Sequence, residues 1–277
     1  MKGWGARILG QLALPGAFVV LFAAESLRPL RPRVASRWAR LRRNLALGAT
    51  ATLVHGGAMM PVMMLVARRS QGAGLARLVP GPQWVRDTAA FVLLDYTTYL
   101  WHRSNHEVPL LWRFHAVHHS DVDLDVTTAA RFHPGEIALS VLAAAIQARV
   151  VGPRPAVAAA YAVAMQVAAA FHHANLRLSP RVDRALAAVV VTPRMHGVHH
   201  AARREEADAN WSVIFSVWDR IHRTLRLDVP AEGAAIGLPA YRDPEELGIA
   251  RLLCMPFGRQ RPSWQGPGPA GSGGGGG

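Results

Sequence analysis

Residues 115–119 read His-Ala-Val-His-His, and residues 196–200 repeat the pattern as His-Gly-Val-His-His. A third motif, His-Arg-Ser-Asn-His, covers residues 102–106. Spacings of three and four residues bring side chains onto one face of a helix, so each motif can present two or more imidazoles to a common centre. With one histidine of the pair His172 and His173, the motifs supply nine nitrogens, which suits two metal ions better than one. The sequence therefore predicts helices that converge on a histidine-bound metal centre.

The composition limits what this centre can be. The chain has one cysteine, Cys254, which excludes a thiolate-bound zinc or iron–sulfur cluster. Imidazole ligands alone do not select among zinc, copper, iron and nickel. A zinc peptidase of the H-E-x-x-H type is disfavoured, because the string that begins at His106 has Leu110 in place of the second histidine. His55 and His222 stand apart from the motifs, and we expect no role for them.

The overall composition favours a membrane protein. Of 277 residues, 51% are apolar and 18% charged, and the mean hydropathy is +0.12. The formal net charge is +13. A nucleic-acid-binding surface is not predicted, because the arginines lie in short gaps between apolar stretches and are not interleaved with aromatic residues.

Five apolar stretches predict helices in or on a bilayer. The positive-inside rule places the arginine-dense loop after the first stretch in the cytoplasm, with the N-terminus outside. Crossing parity then returns the end of the third stretch, where the histidine motifs begin, to the cytoplasm. A signal peptide is the alternative for the first stretch, although no small-residue cleavage site precedes Glu25. The last two stretches form a hairpin that either spans or dips into the membrane. The five stretches are 8–24, 45–67, 84–101, 137–151 and 156–171.

The histidine motifs and their order along the chain resemble those of the fatty acid hydroxylase / sterol desaturase superfamily. Its members are integral-membrane oxygenases with H-x3-H, H-x2-H-H and H-x2-H-H boxes. The similarity extends to residues between the boxes and covers residues 95–227. It is specific for the superfamily and much less so for the substrate. Matching residues outside the boxes are Asp95, Tyr99, Arg103, Leu111 to Phe114, Arg131 to Pro134, Glu136, His173 to Asn175, Asn210, Trp211 and Trp218 to Arg220.

The resemblance implies a non-haem di-iron centre (Fe2+/Fe3+) that uses O2 to hydroxylate or desaturate a C–H bond of a lipid, which is fatty-acyl, sterol-like or of another class. His173 precedes Ala174 and Asn175 as in the family, so it is the expected ligand, with His172 in reserve. The implied iron ligands are His102, His106, His115, His118, His119, His173, His196, His199 and His200.

Other polar residues receive supporting roles. His133 is expected to support a ligand or line the substrate channel, and Asn175 to orient an imidazole; we group both with the catalytic residues. Helix capping or solvation is an equally good interpretation for each orienting candidate, and the acidic run 121–125 can also be a solvated loop. The candidates for orienting imidazoles are Asp95, Asp121, Asn175, Asn210 and Asp219.

Each turnover of such an enzyme needs two external electrons, and no haem-binding, flavin or ferredoxin-like domain is recognisable in the sequence. We therefore expect a separate ferredoxin, cytochrome or reductase as the donor, and the arginine-rich cytoplasmic surface can dock an acidic partner. The alternative from another functional class is a non-catalytic membrane metal-binding or transport protein.

The sequence thus predicts an all-α, polytopic membrane protein with a cytoplasm-facing histidine-rich metal site, in the cytoplasmic membrane. Residues 181–191 are expected to form an amphipathic interfacial helix. The predicted divisions are residues 1–83 for the N-terminal membrane helices and basic loop, 84–230 for the histidine-box catalytic domain, 231–261 for a C-terminal extension and 262–277 for a disordered glycine-rich tail.

Overall fold

The computed structural model describes residues 4–230 and 234–266. Within these ranges the chain is helical and contains no β-strand, only three isolated β-bridges. The predicted all-α class is confirmed. The helices are α1 Trp4–Leu27, α2 Arg37–Val54, α3 Met60–Ser70, α4 Gln83–Glu107, α5 Pro109–His119, α6 Pro134–Val151, α7 Pro155–His173, α8 Pro180–Ala187, α9 Pro193–His199, α10 Arg204–Ala207, α11 Val217–Ile221 and α12 Ile249–Cys254.

Among the described residues, three segments are long and apolar enough to cross a membrane: Arg37–Leu78, Pro134–Val151 and Pro155–His173. The first contains the predicted stretch 45–67 and is continuous through a π-helical turn, His55–Met59. Pro61 lies just after this turn and has no N–H to donate to the preceding turn of helix, which is a common cause of such local widening. The second and third segments form the predicted hairpin.

The hairpin turn follows from its residues. Gly152 ends α6 in the left-handed region, with φ of +66°, a conformation that glycine adopts without steric cost. Pro155 then starts α7 at a position where its missing N–H is not needed. The hairpin places the C-terminal end of α7, and with it His173, on the same side as the N-terminal end of α6.

The predicted span 84–101 is helical, as part of α4, but it is not among the three apolar segments. Its Asp95 is fully buried and accepts hydrogen bonds from the backbone N–H of Ile214 and Phe215 and from Trp218 Nε1. One face of the helix therefore packs against the C-terminal half of the chain. The side of the membrane on which the histidines lie stays a prediction.

A buried polar cluster, called here the Arg40 network, fastens the loop after α5 to α2. Arg40 binds Asp121 through Nε and Nη2, at 2.8 and 2.7 Å, and also forms an ion pair with Asp125. The acidic run 121–125 is thus buried and paired, which corrects the solvated-loop alternative. The network fixes the position of the loop that follows the histidine motif 115–119. It consists of Arg40, Asn44, Asp121, Asp125, Thr127, Thr128 and Arg131.

Candidate metal centre

Four helices bring the nine predicted ligands together. The C-terminal end of α4 carries two of them, α5 three, the last residue of α7 one and α9 two, and the ninth, His200, directly follows α9. α9 starts sharply because Thr192 caps it and Pro193 occupies its first turn. The histidines form two groups, in each of which one ring nitrogen per residue lies within 4.8 Å of all the others. The first group is His102, His106, His115, His119 and His199, and the second is His118, His173, His196 and His200.

Hydrogen bonds fix the tautomer of five rings. A backbone carbonyl can only accept, so a ring nitrogen bonded to it carries the proton, and the other nitrogen keeps a free lone pair. Carbonyl or carboxylate partners of Nδ1 leave Nε2 available as a metal ligand in each case. The pairs are His102 with Trp211 O at 2.8 Å, His118 with Arg131 O at 3.2 Å, His173 with Ala169 O at 2.7 Å, His199 with Ala209 O at 2.9 Å and His115 with Glu136 Oε1 at 2.8 Å.

In the second group these lone pairs face each other. His118 Nε2 and His173 Nε2 lie 3.1 Å apart, although both rings donate their proton elsewhere through Nδ1. Two facing lone pairs repel unless a cation lies between them. Two nitrogens about 3 Å apart could both reach an ion placed about 2.1 Å from each of them. His196 Nε2 stands 3.0 Å from His173 Nε2 and completes the same arrangement.

In the first group the ring nitrogens lack partners. Neither nitrogen of His106 has a hydrogen bond within the described ranges, nor does Nε2 of His115, His119 or His199. Unpaired buried polar atoms are rare in folded proteins, and here they converge on one point. The donor set fits metal ions held by imidazole, with carboxylate and carbonyl support outside them.

Burial keeps the rings neutral, which metal binding requires. Burial, with a smaller contribution from the neighbouring His115, lowers the pKa of His102 to about 3. Burial, followed by the fields of adjacent imidazoles, also lowers the pKa of His106, His118, His119 and His199 well below the ordinary value. Lone pairs are therefore available at neutral pH throughout the cluster.

The remaining predicted residues lie outside both groups. His172 hydrogen-bonds through Nδ1 to Val213 O at 3.1 Å. His133 caps α6, accepting from Gly135 N at Nδ1 and donating to Leu253 O from Nε2. The Asn175 side chain is bonded at both ends to the backbone of Arg31, at 2.8 and 2.9 Å.

Four of the five candidates for orienting imidazoles bind backbone groups instead, and the fifth, Asp121, binds side chains of the Arg40 network. In the part of the chain that is described, none of them bonds directly to a histidine ring. Asp219 accepts from the N–H of Trp211 and Ser212, and Trp211 O in turn receives the Nδ1 proton of His102. Glu136 is the carboxylate that touches a ligand, His115. Backbone carbonyls orient four of the nine rings, and no side-chain pattern in the sequence predicts them.

Two openings adjoin the cluster. An apolar groove of about 720 Å³ runs along α7 and is lined by residues including Val163, Val167, Phe171, Val191 and Ile214. It ends two residues before His173. On the other side a cleft of about 960 Å³, half polar, reaches the ring of His106; it is bordered by Trp112, Arg113, Arg204, Asp208 and Trp264.

Comparison with known proteins places these features in a family. Residues 88–224 match the model of the fatty acid hydroxylase family. An ornithine lipid hydroxylase of Rhizobium tropici is 28% identical over 171 residues, which are 61% of this chain and 49% of that protein. Human alkylglycerol monooxygenase is 30% identical over 145 residues, 50% of this chain and 30% of its own length. The chain thus spans half or less of these relatives. No solved structure matches it.

Proposed function

Since residues 88–224 belong to the fatty acid hydroxylase family, we propose that the protein is a membrane-bound, O2-dependent lipid hydroxylase with two iron ions held by nine histidines. The observation that carries the proposal is the pair of histidine groups, in which lone pairs either face each other at 3.0–3.1 Å or have no partner. The ligands would be His102, His106, His115, His119 and His199 for one ion and His118, His173, His196 and His200 for the other.

Bound iron would supply the activation of O2 that attack on an unactivated C–H bond requires. The chain itself would orient the ligand rings and shield them from water. Trp211, Arg131, Ala169 and Ala209 each hold one ring through a carbonyl, so little reorganisation is needed when ions bind. Burial of the rings excludes bulk water from the reacting atoms. His133 and Asn175 keep structural contacts, and we propose no direct step for them.

The substrate is proposed to be a lipid whose chain lies in the groove along α7. Val163, Val167 and Phe171 give the groove an apolar lining that fits methylene groups. The relatives are named for an ornithine lipid and for alkylglycerol, both lipids, which supports this class. Desaturation shares the same centre and is distinguished by product mass.

Electrons are proposed to come from a separate ferredoxin, cytochrome or reductase, docked by arginines on the side of the cleft. Arg113 and Arg204 border that cleft. High salt should slow electron transfer from an acidic donor, since it screens the contact. An unchanged rate at high salt would argue against arginine docking.

We also propose the cytoplasmic membrane as the location, with the site facing the cytoplasm. Cys254, the single cysteine, is exposed, and its neighbour Leu253 accepts a hydrogen bond from His133 on the side of the cluster. A membrane-impermeant maleimide should label Cys254 in inverted vesicles and not in intact cells. Labelling of intact cells would reverse the orientation, and Cys254→Ser controls for background.

The function is tested by metal analysis and lipid mass spectrometry on the purified full chain and on cells that express it. We expect two irons per chain, O2 consumption with a supplied reductant, and a lipid that gains one oxygen. One exchangeable zinc per chain and no O2 uptake would favour a metal-binding or transport protein instead. The division of the chain into 1–83, 84–230, 231–261 and 262–277 remains part of the proposal; residues 267–277 of the tail lie outside the described residues.

A further inference from the structure

The guanidinium of Arg31 is buried without a partner. The residue is 5% exposed, and none of its Nε, Nη1 and Nη2 atoms has a hydrogen-bond acceptor among the side chains described, those of residues 15–230 and 234–266, or in the described backbone. By contrast, all three side-chain nitrogens of Arg40 and of Arg131 are hydrogen-bonded. A buried charge without a counter-charge is strongly unfavourable, so Arg31 is expected to meet an acceptor that the chain itself does not supply.

The chain holds this arginine in a fixed place. Asn175 binds both the N–H and the C=O of Arg31, and the guanidinium lies against Gly197. A Cβ at Gly197 would stand 1.7 Å from Arg31 Nη2, so any side chain at this position would displace the guanidinium. Gly197 is the second residue of the histidine motif 196–200. The guanidinium therefore packs on the helical turn that carries three of the nine proposed ligands.

The carboxylates that contact the loop around Arg31 already have other partners. Glu25 pairs with Arg37 at 3.0 Å and accepts the N–H groups of Val126 and Asn175. Asp123 accepts the N–H groups of Val34 and Ala35. Burial lowers the pKa of Arg31 to about 10, which leaves the guanidinium charged at neutral pH. The loop 28–37 thus carries more positive charge than its acidic neighbours balance.

We propose that Arg31 binds an oxyanion, the carboxylate or phosphate of a lipid headgroup whose chain lies in the groove along α7. The identification of the anion as a lipid rests on the proposed function. The groove ends at Phe171, and Asn175, four residues further on, holds Arg31 at the same end of α7. A guanidinium offers five N–H donors in a planar fork that matches these oxyanions. An anion at Arg31 would anchor the lipid beside the metal ligands on α9.

The test measures binding to the iron-loaded full chain in a nonionic detergent. Palmitate carries the carboxylate, hexadecanol is its neutral counterpart, and inorganic phosphate represents a free anion. Arg31→Met should weaken palmitate binding about tenfold or more, the effect of losing a charge-assisted hydrogen-bonded pair, and leave hexadecanol binding unchanged. Arg31→Lys should restore part of the loss. Arg194→Met is the matched control, because Arg194 lies on α9 and already pairs with Asp183 at 2.6 Å.

Three results would overturn the proposal. The first is an unchanged ratio of palmitate to hexadecanol affinity in Arg31→Met. The second is stabilisation by phosphate with no palmitate binding, which would keep the anion site but assign it to a free anion. The third involves Glu232, the one acidic residue outside the described ranges: equal, non-additive destabilisation by Arg31→Met and Glu232→Gln would show that these two residues pair. Iron content and turnover on the same samples test the oxygenase separately, because palmitate binding does not depend on them.

Discussion

Two polar regions are equally deep in this molecule, and they differ in one respect. In the Arg40 network every side-chain nitrogen and oxygen has a hydrogen-bond partner. In the histidine cluster, seven ring nitrogens of the described residues have none, and others face each other's lone pairs. Burial alone therefore does not mark a functional site. The satisfied network links α2 to the loop after α5, whereas the unpaired ring nitrogens have the chemistry of the proposed metal ligands.

The largest effect on stability is expected from a substitution in the Arg40 network. Arg40→Met leaves Asp121 and Asp125 buried without their counter-charge, which should cost about 3–5 kcal/mol of stability. Although burial raises the pKa of Asp121, Arg40 lowers it well below the ordinary range, so this carboxylate stays charged in the folded state. Thermal unfolding of the purified chain measures the loss. Arg42→Met, an exposed change on the same helix, should be neutral; equal stability of both variants would mean that the network does not hold the fold.

Removing a proposed histidine ligand should affect iron binding more than stability. His199→Ala is expected to abolish iron binding and turnover, and His118→Ala to do the same, while the iron-free protein still folds. Nε2 of His199 makes no hydrogen bond, so the cost to stability is limited to the packing of the ring and the bond from Nδ1 to Ala209 O. His55→Ala, outside both groups, is the control. Retained activity in either ligand variant, with iron still bound, would refute the ligand assignment.

A smaller effect is expected at Glu136, a carboxylate that contacts the proposed ligand His115. Glu136 accepts the Nδ1 proton of His115, so Glu136→Gln keeps an acceptor but removes the charge that increases the ring's basicity. Loss of such a partner lowers metal affinity by about 10–100-fold. Competition with a chelator gives the affinity, and Glu107→Gln, an exposed carboxylate paired with Arg103, is the control. An unchanged affinity would mean that the carboxylate serves only to position the ring.

The sequence predicted the unsatisfied region better than the satisfied one. Histidine spacing placed nine side chains that the fold brings together, because helical periodicity is local. It did not predict that Asp121 and Asp125 meet Arg40 across more than eighty residues, since such a pairing depends on how α2 packs. It also missed the carbonyls of Trp211 and Ala209, which look like those of any other residue until the chain is folded.

The smallest effect is expected at Asp219, a hydrogen-bonded carboxylate that acts on the histidine cluster through the backbone. Its carboxylate is satisfied by the N–H of Trp211 and Ser212, yet the carbonyl of that same Trp211 orients His102. Asp219→Asn places a donor against a donor and should cost about 1–3 kcal/mol of stability. Iron affinity should fall by less than Glu136→Gln causes, because the displacement reaches His102 only through the backbone. Asp228→Asn, an exposed carboxylate nearby, should change neither quantity. If Asp219→Asn lowered iron affinity without lowering stability, this carboxylate would serve the metal centre and not the fold, contrary to this prediction.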